Sequence, residues 1–416
     1  MGASSATLDA LRTVVDDARL ATPDDDVDGV DASYVVSPGS VDETSQALRV
    51  AADRRLTVVP RGAATKLAWG APPSSADVVL DTTRMDKVVE HAAGDLVVTV
   101  QAGARLDDVQ SVLSPAGQRL AIDPVVTGGT VGGVVATGVS GPLRLSHGAV
   151  RDLVIGVTFV RADGVIAKAG GKVVKNVAGY DLGKLMAGSW GTLGVITGLV
   201  FRLHPLPSAR RWVTVDAQGP DDLLRLVHEV VHSQLVPTAA ELNQPAGGPP
   251  VLSVLFDGLP EGVEARATSL LGQFGSAAQS HDEAPPWWGR QPWEPGGVGM
   301  RVTHEIAGVA RLLEGVARSG AQHGVNPVVR GSVGVGVVHV ALPADVQPDA
   351  GAAFITTLRE DAPAWNGQVV VLAGPRSVKQ RVDVWGPAGG LELMHRIKER
   401  FDPERRLSPG RFVGGI

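Results

Sequence analysis

Apolar and polar positions alternate between two periods along this chain. After Ser40, the residues Ala47, Leu48 and Ala51 recur at helical spacing behind a Ser40–Glu43 pair set as a capping box, which predicts a helix over 41–54. TVVPRG, VVLDT and LVVTVQAG then read as short strands, with a helix after Ala104 whose apolar stripe is Leu106, Val109, Val112 and Leu113. VTFVRADGVIAKAG reads as a hairpin with Asp163-Gly164 at its turn. Beyond HPLPSAR the pattern predicts helix 222–234, strand 251–256, helix 260–273, a Trp/Pro-rich loop, a further strand, helix 304–323 and strand 333–342. The last amphipathic stretch, LELMHRIKERF, predicts a helix stopped at Asp402-Pro403. Helices and strands alternate irregularly and include hairpins, so the expected class is α+β rather than a doubly wound parallel sheet.

Four segments follow: an acidic extension over 1–30 outside the main core, a first domain over 31–208, a second over 209–380 built on an antiparallel sheet, and a C-terminal helix and tail over 381–416 returning to the first. The length of 416 residues suits two domains. A net charge of −6 gives no general attraction to nucleic acid or anionic lipid. The chain has no cysteine, so it ligates no iron–sulfur cluster and forms no disulfide. No secretory leader or membrane span is visible, and Ala6 stands where an N-myristoylation signal needs Ser or Thr. The expectation is a cytoplasmic protein, peripheral at the inner membrane face only through partners.

Glycine is abundant, 52 residues, and clusters in two loops. PRGAATK (60–66) follows a strand, and TGGTVGGVVATGVSG (127–141) is longer. Small residues let backbone N–H groups approach an anion where a Cβ would intrude, as a dinucleotide diphosphate requires. A Rossmann reading fails, because no G-x-G-x-x-G hexad follows a strand and opens a helix.

These two loops, with DLVIGVTFVRADG (152–164), GYDLGKLMAGSWGTLGVIT (179–197) and the ending FDPERRLSPGR, resemble the PCMH-type FAD-binding domain of the vanillyl-alcohol-oxidase superfamily. The resemblance implies an FAD domain of two α+β subdomains, a smaller α+β cap domain with an antiparallel sheet, and flavin lying between them. It implies cofactor contacts at Pro60, Arg61, Gly62, Ala63, Ala64, Thr65, Lys66, Pro124, Thr130, Gly132, Gly133, Ser140, Gly141, Gly194, Val195 and Ile196. Thr65 stands where some members carry a flavin-linking histidine, so non-covalent FAD is expected. Gly138 replaces a usual asparagine.

Within the superfamily the nearest resemblance is to 2-hydroxy-acid dehydrogenases, whose cap carries a strand similar to H-A-G-D-G-N-L-H and a loop similar to S-G-E-H-G that hold a metal and handle the substrate hydroxyl. On that pattern SVGVGVVH (332–339) keeps both glycines and His339. Ser332, Val335 and Val337 replace the other polar groups, and Leu372 and Ala373 in QVVVLAGPRS are nearest to the Glu–His pair. Valine neither ligates a metal nor moves a proton, so no metal site is expected and His339 reads as structural. This combination is similar to the GlcE-type FAD subunit of glycolate oxidase complexes. The resemblance implies two partners, a homologous metal-motif flavin subunit and an iron–sulfur subunit, with a small 2-hydroxy acid oxidised by the whole. Two other readings stay open: an independent FAD oxidoreductase with a non-standard site using Arg290, Arg301 or Tyr180, and a structural FAD-binding subunit. His147 and the tryptophans of PPWWGRQPWEP read first as packing, and Lys172, Lys175 and Asn176 as solvated.

Overall fold

The computed structural model describes residues 4–171 and 180–416. Met1-Gly2, Lys172, Lys175 and Asn176 lie outside the described residues.

Among the described residues the strands form three large sheets and a two-stranded ribbon of Gln118–Arg119 with His204–Pro205. The first has strands Ala18–Leu20, Ala32–Val36, Ala76–Asp81 and Val58–Arg61 in that order, with parallel pairing around Ala76–Asp81. The second is antiparallel, ordered Val88–Ala92, Val97–Gln101, Val195–Arg202, Val154–Val160 and Ile166–Gly170. The third has eight antiparallel strands, ordered Ala278–His281, Ala209–Asp216, Val251–Gly258, Ala239–Gln244, Val328–Ser332, Val337–Leu342, Val298–Thr303 and Gln368–Ala373. Helices such as Pro220–Val231 and Val309–His323 cover one face of this cap sheet with a continuous apolar layer that includes Leu226, Leu312 and Phe354. Its other face is turned to the first two sheets, and Arg119 reaches across to Asp257 at 2.8 Å. The α+β expectation therefore holds.

Local chemistry accounts for the element ends. The helix Val41–Asp53 starts where Ser40 Oγ accepts the Glu43 N–H at 3.1 Å, while Glu43 Oε2 takes the Gly39 N–H at 2.8 Å. The C-terminal helix Leu391–Phe401 stops at Asp402, whose carboxylate is wholly buried. There Asp402 Oδ2 accepts from Lys398 Nζ at 2.8 Å and from the Leu407 N–H at 2.7 Å. Lys398 Nζ also donates to the carbonyls of Thr192 and Leu407, at 2.7 and 2.9 Å, so all three of its donors are used. This buried knot returns the tail to the first domain.

Several expectations need correction. The acidic first stretch belongs to the core: Leu8, Leu11, Val15 and Ala18 are buried against the first sheet, and Asp25 pairs with Arg61 at 2.9 Å. Its apolar residues are few but fall on one face, which the acidic composition masks. Val112 is exposed, on the outer side of the helix Leu106–Leu113. Residues 333–342 are not one strand, since a 3-10 turn at Val333–Val335 joins Val328–Ser332 to Val337–Leu342. Gly336 ends that turn at φ 68°, a conformation that disfavours a side chain. QVVVLAGPRS is mainly an edge strand, Gln368–Ala373, rather than a loop. Among the described residues no helix is long and apolar enough to cross a membrane.

Candidate functional site

The strand Val58–Arg61 delivers the first glycine-rich loop to the mouth of a cleft of about 730 Å³. Facing it, the helix Val131–Thr137 opens at Thr130, whose Oγ1 accepts the Gly133 N–H at 3.2 Å. The two loops interlock: a Cβ on Gly62 would stand 2.2 Å from Thr130 Oγ1. A Cβ on Gly132 would stand 2.8 Å from both the Cβ and the carbonyl of Ala102. Ala64 adopts a left-handed φ of 57°, which costs a residue with a Cβ about 1 kcal/mol and turns the loop backbone.

Of the expected cofactor contacts, Pro60, Arg61, Gly62, Ala63, Ala64, Thr65, Lys66, Thr130, Gly132, Gly133, Gly194 and Ile196 line this one cleft. The other four do not. Pro124 borders a separate hollow with Asp123 and Arg210. Ser140 caps a short helix by accepting the Val150 N–H at 3.0 Å. Gly141 is pressed against Asp123, where a Cβ would sit 1.8 Å from the Asp123 carbonyl oxygen. Val195 points into the core of the first sheet, because alternation along its strand turns it away from the cleft.

The cations of the cleft differ in what they have left to offer. Arg61 is spent on Asp25 and Asp81, both at 2.9 Å. Lys66 is buried, and among the described residues its Nζ donates to Thr65 Oγ1 alone, at 3.0 Å. Burial pushes its pKa down to about 8. Arg411, absent from the sequence-based set, arrives from the C-terminal tail. Its Nη2 donates to the carbonyls of Leu67, Lys66 and Trp69, while Nη1 is buried with no partner among the described residues. Burial lowers its pKa to about 10, so it stays charged. Two desolvated cations with no ion-pair partner among the described residues, one with an orphaned donor, between glycine-lined walls suit a diphosphate. The cleft also takes Leu67, Thr82, Ala136, Thr137, Trp190 and Gly191, which sequence reasoning missed. Trp190, Gly191 and Arg411 lay inside quoted motifs, yet nothing in their spacing marked which side chains face inward.

A second cleft of about 1050 Å³ shares Thr137 and Trp190 with the first and is roofed by the polar face of the cap sheet. Arg144, Arg301, Gln368, Trp385 and Phe412 line it. Arg301 lies directly across the ladder from His339, with Arg330 on the other side. His339 is buried, edge-on to Trp293 at 5.5 Å. Desolvation, then the Arg301 and Arg144 charges, lower its pKa to about 3, so it is neutral. Ser332, also buried, faces Glu241, and Val335 lies in the turn. Leu372 is buried and Ala373 partly so on the edge strand. Among the described residues no three His, Cys, Asp or Glu gather as a metal site.

Other candidates fall elsewhere. His147 packs tilted against His204, ring centroids 4.4 Å apart, beside Arg119 in the seam between domains. Trp293 packs on Trp69 at 5.6 Å, and Trp288 meets Trp212 edge-on at 6.1 Å, so the Trp/Pro loop seals the same seam. Arg290 and Tyr180 are exposed, and neither lines the two clefts.

Comparison with known proteins agrees with this geometry. Residues 32–170 match the FAD binding domain family, and residues 302–412 match the C-terminal domain of FAD linked oxidases. The chain belongs to the FAD-linked oxidase superfamily. Its cofactor is FAD. It is 33% identical over 247 residues to glycolate oxidase subunit GlcD of Bacillus subtilis, covering 58% of this chain and 51% of that protein. It is 35% identical over 182 residues to glycolate oxidase subunit GlcE of Escherichia coli, covering 43% and 50%. The chain thus spans about half the length of these curated relatives. p-Cresol methylhydroxylase, solved with substrate bound, superposes with a TM-score of 0.77 over 99% of this chain and 97% of that one, at 14% identity, which establishes the shared fold. For an FAD-linked oxidase, the first cleft has the donors that the cofactor's diphosphate needs.

Proposed function

We propose that this FAD-dependent oxidoreductase is a non-covalent FAD-binding subunit of an assembly that oxidises glycolate or a related 2-hydroxy acid. In this reading it works with a homologous metal-motif flavin subunit and an iron–sulfur subunit. The observation that supports the proposal is a contrast: the cleft lined by both glycine-rich loops offers Lys66 and Arg411, while Ser332, Val335 and Val337 leave His339 alone of the polar groups in the cap-strand pattern. The lack of cysteine fits an assembly in which another chain holds the clusters. The match to a GlcE subunit points the same way.

Lys66 and Arg411 would neutralise the diphosphate, the loop 62–65 and the Gly132–Gly133 backbone would hold it closely, and Thr65 has no atom that forms a flavin bond of the histidyl type. FAD supplies hydride acceptance when bound. The groups that would take the hydroxyl proton are absent from the expected places, and loss of a general base typically costs ~10²–10⁴ in rate. The test is dye-linked glycolate oxidation by the chain alone and by the chain co-expressed with both partners. Turnover is expected in the assembly only, with all flavin released to the supernatant on acid precipitation. Robust turnover by the isolated chain would favour the second reading, an independent oxidoreductase, which Arg144 and Arg301 in the second cleft keep in contention. Flavin retained on the precipitated chain would refute the non-covalent assignment.

A further inference from the structure

A polar row crosses three strands of the cap sheet. Thr214 stands opposite Ser253, and Ser253 opposite Glu241, in direct register. Their sequence neighbours Val213, Val215, Leu252, Val254, Ala240 and Leu242 point into the helix-covered core, so alternation turns the polar three to the face that meets the FAD domain. Thr214 Oγ1 and Ser253 Oγ share a hydrogen bond at 3.1 Å. Ser253 is wholly buried and Glu241 nearly so. Thr214 is half-buried, one strand in from the sheet edge and opposite the exposed Gln279. The row therefore runs from the edge of the sheet to its interior.

At the inner end Glu241 is set to hold a proton and to pass it on. Its Oε1 is buried without a hydrogen-bond partner among the described residues. Ser332 meets the carboxyl from the strand on the other side, Arg144 approaches from a short helix of the FAD domain, and Asp123 from a loop of that domain. Desolvation raises the Glu241 pKa to about 8, with help from Asp123 and against the pull of Ser332 and Arg144. The carboxyl is thus protonated at neutral pH yet close to release. An apolar side chain of the same shape would avoid the cost of an unpaired buried oxygen, so packing alone does not account for it. Arg144 also lines the second cleft, which places the inner end of the row at that wall.

We propose that Thr214, Ser253 and Glu241 form a proton path along the cap sheet, joining solvent at the sheet edge to the wall of the second cleft, with Glu241 as the proton carrier. Glu241 gives its proton to a base on the cleft side. Ser253 restores it with its own proton, takes one from Thr214, and Thr214 is refilled from water. Each group gives one proton and takes one, so one proton crosses and no electron moves. Hydroxyls suit the two outer places because each both donates and accepts. Flavin oxidoreduction exchanges protons with water, and this path gives the seam that exchange without unseating the cap. The path belongs to the chain itself and does not depend on which substrate or partner the assembly uses.

Infrared spectroscopy of the full chain reads the carrier directly. A protonated-carboxyl C=O band should persist at neutral pH, fade as pH rises through about 8 and be missing in Glu241→Gln. Its shift on rapid mixing with heavy water times the exchange of the Glu241 proton. Ser253→Ala interrupts the row and should slow that exchange by about tenfold or more, the factor that ~1.4 kcal/mol of barrier represents, while the band itself stays. Thr214→Val should slow it as well and Thr214→Ser should restore it, and this pair carries the test if Ser253→Ala does not fold. A purely structural role for the hydroxyls would leave the exchange rate unmoved. Exchange as fast in Ser253→Ala and Thr214→Val as in the wild type would overturn the proposal, as would a wild-type chain with no Glu241-dependent band. The measurement needs neither turnover nor partners, so failure of the assembly reading would leave it standing.

Discussion

The two clefts that meet at Trp190 and Thr137 keep their cations in opposite ways. In the first, Arg411 is pinned by three backbone carbonyls and Lys66 by its neighbour's hydroxyl, on loops whose glycines admit no alternative packing. In the second, Arg144 and Arg301 project from separate domains with no ion pair or side-chain hydrogen bond among the described residues, near Glu241 and Asp123, whose pKa values burial raises to about 8 and about 7. The first arrangement is preorganised for one resident group, because its donors are fixed before anything binds. The second is charged and unmatched among the described residues.

That contrast can be broken most severely at the first cleft. Gly132→Asp has no room beside Ala102 and must push the Val131–Thr137 helix away from its place in the cleft wall, so FAD affinity should fall more than about 100-fold, read by flavin retained after gel filtration. A chain that still holds stoichiometric flavin would show that the diphosphate lies elsewhere. The same cleft can be undone from a distance. Lys398→Met leaves Asp402 buried and unpaired in the knot that carries Arg411, and should cost ~3–5 kcal/mol in denaturant unfolding. Recovery of stability in Lys398→Met with Asp402→Leu would identify the unpaired charge as the cause.

Milder changes sharpen the comparison. Lys66→Met and Arg411→Met each remove one charged donor, so each should weaken FAD by about 10-fold or more, read by flavin retained after gel filtration. Unchanged flavin retention in both variants would show that neither cation meets the diphosphate. The smallest effect is a pH slope. Glu241 holds its proton to about pH 8 in the folded chain. An unfolded glutamate releases its proton near ~4.3. Folding therefore takes up a proton between these values: the contribution is full below about pH 4 and is lost as pH rises through 8. Glu241→Gln should match the wild type at pH 5 less closely than its neutral shape suggests only if Ser332 needs the carboxyl. At pH 9 it should gain about 1 kcal/mol or more relative to its standing at pH 5, measured by paired denaturant curves. A flat difference across that range would mean that Glu241 is ionised throughout.

Much of this was legible in one dimension. The capped helix after Ser40, the Asp163-Gly164 hairpin and the helix stop at Asp402 rest on short-range signals, and local hydrogen bonds fulfil them. The glycine-rich loops announced a backbone site because small residues at fixed spacing have few other uses. The run GSVGVGVVHV was ambiguous for the same reason it was conspicuous. An apolar stretch rich in glycine does not reveal where a strand ends and a turn begins, and here only Gly336 at positive φ marks the place.

What the chain order determined, then, was the two glycine-rich loops, the α+β class and the apolar residues of the cap strand, since each depends on residue type at nearby positions. Tertiary structure decided which small residues face the cleft, drew Arg411 to it from the far end of the chain, and placed Arg144 opposite Arg301. It also decided which charges count. Arg61 and Lys66 sit five residues apart in one loop, yet one is neutralised by Asp25 and Asp81 and the other is left free of acids. Whether a cation is available depends on partners brought up by folding and on the water removed from around it, and neither is written in the spacing of the sequence.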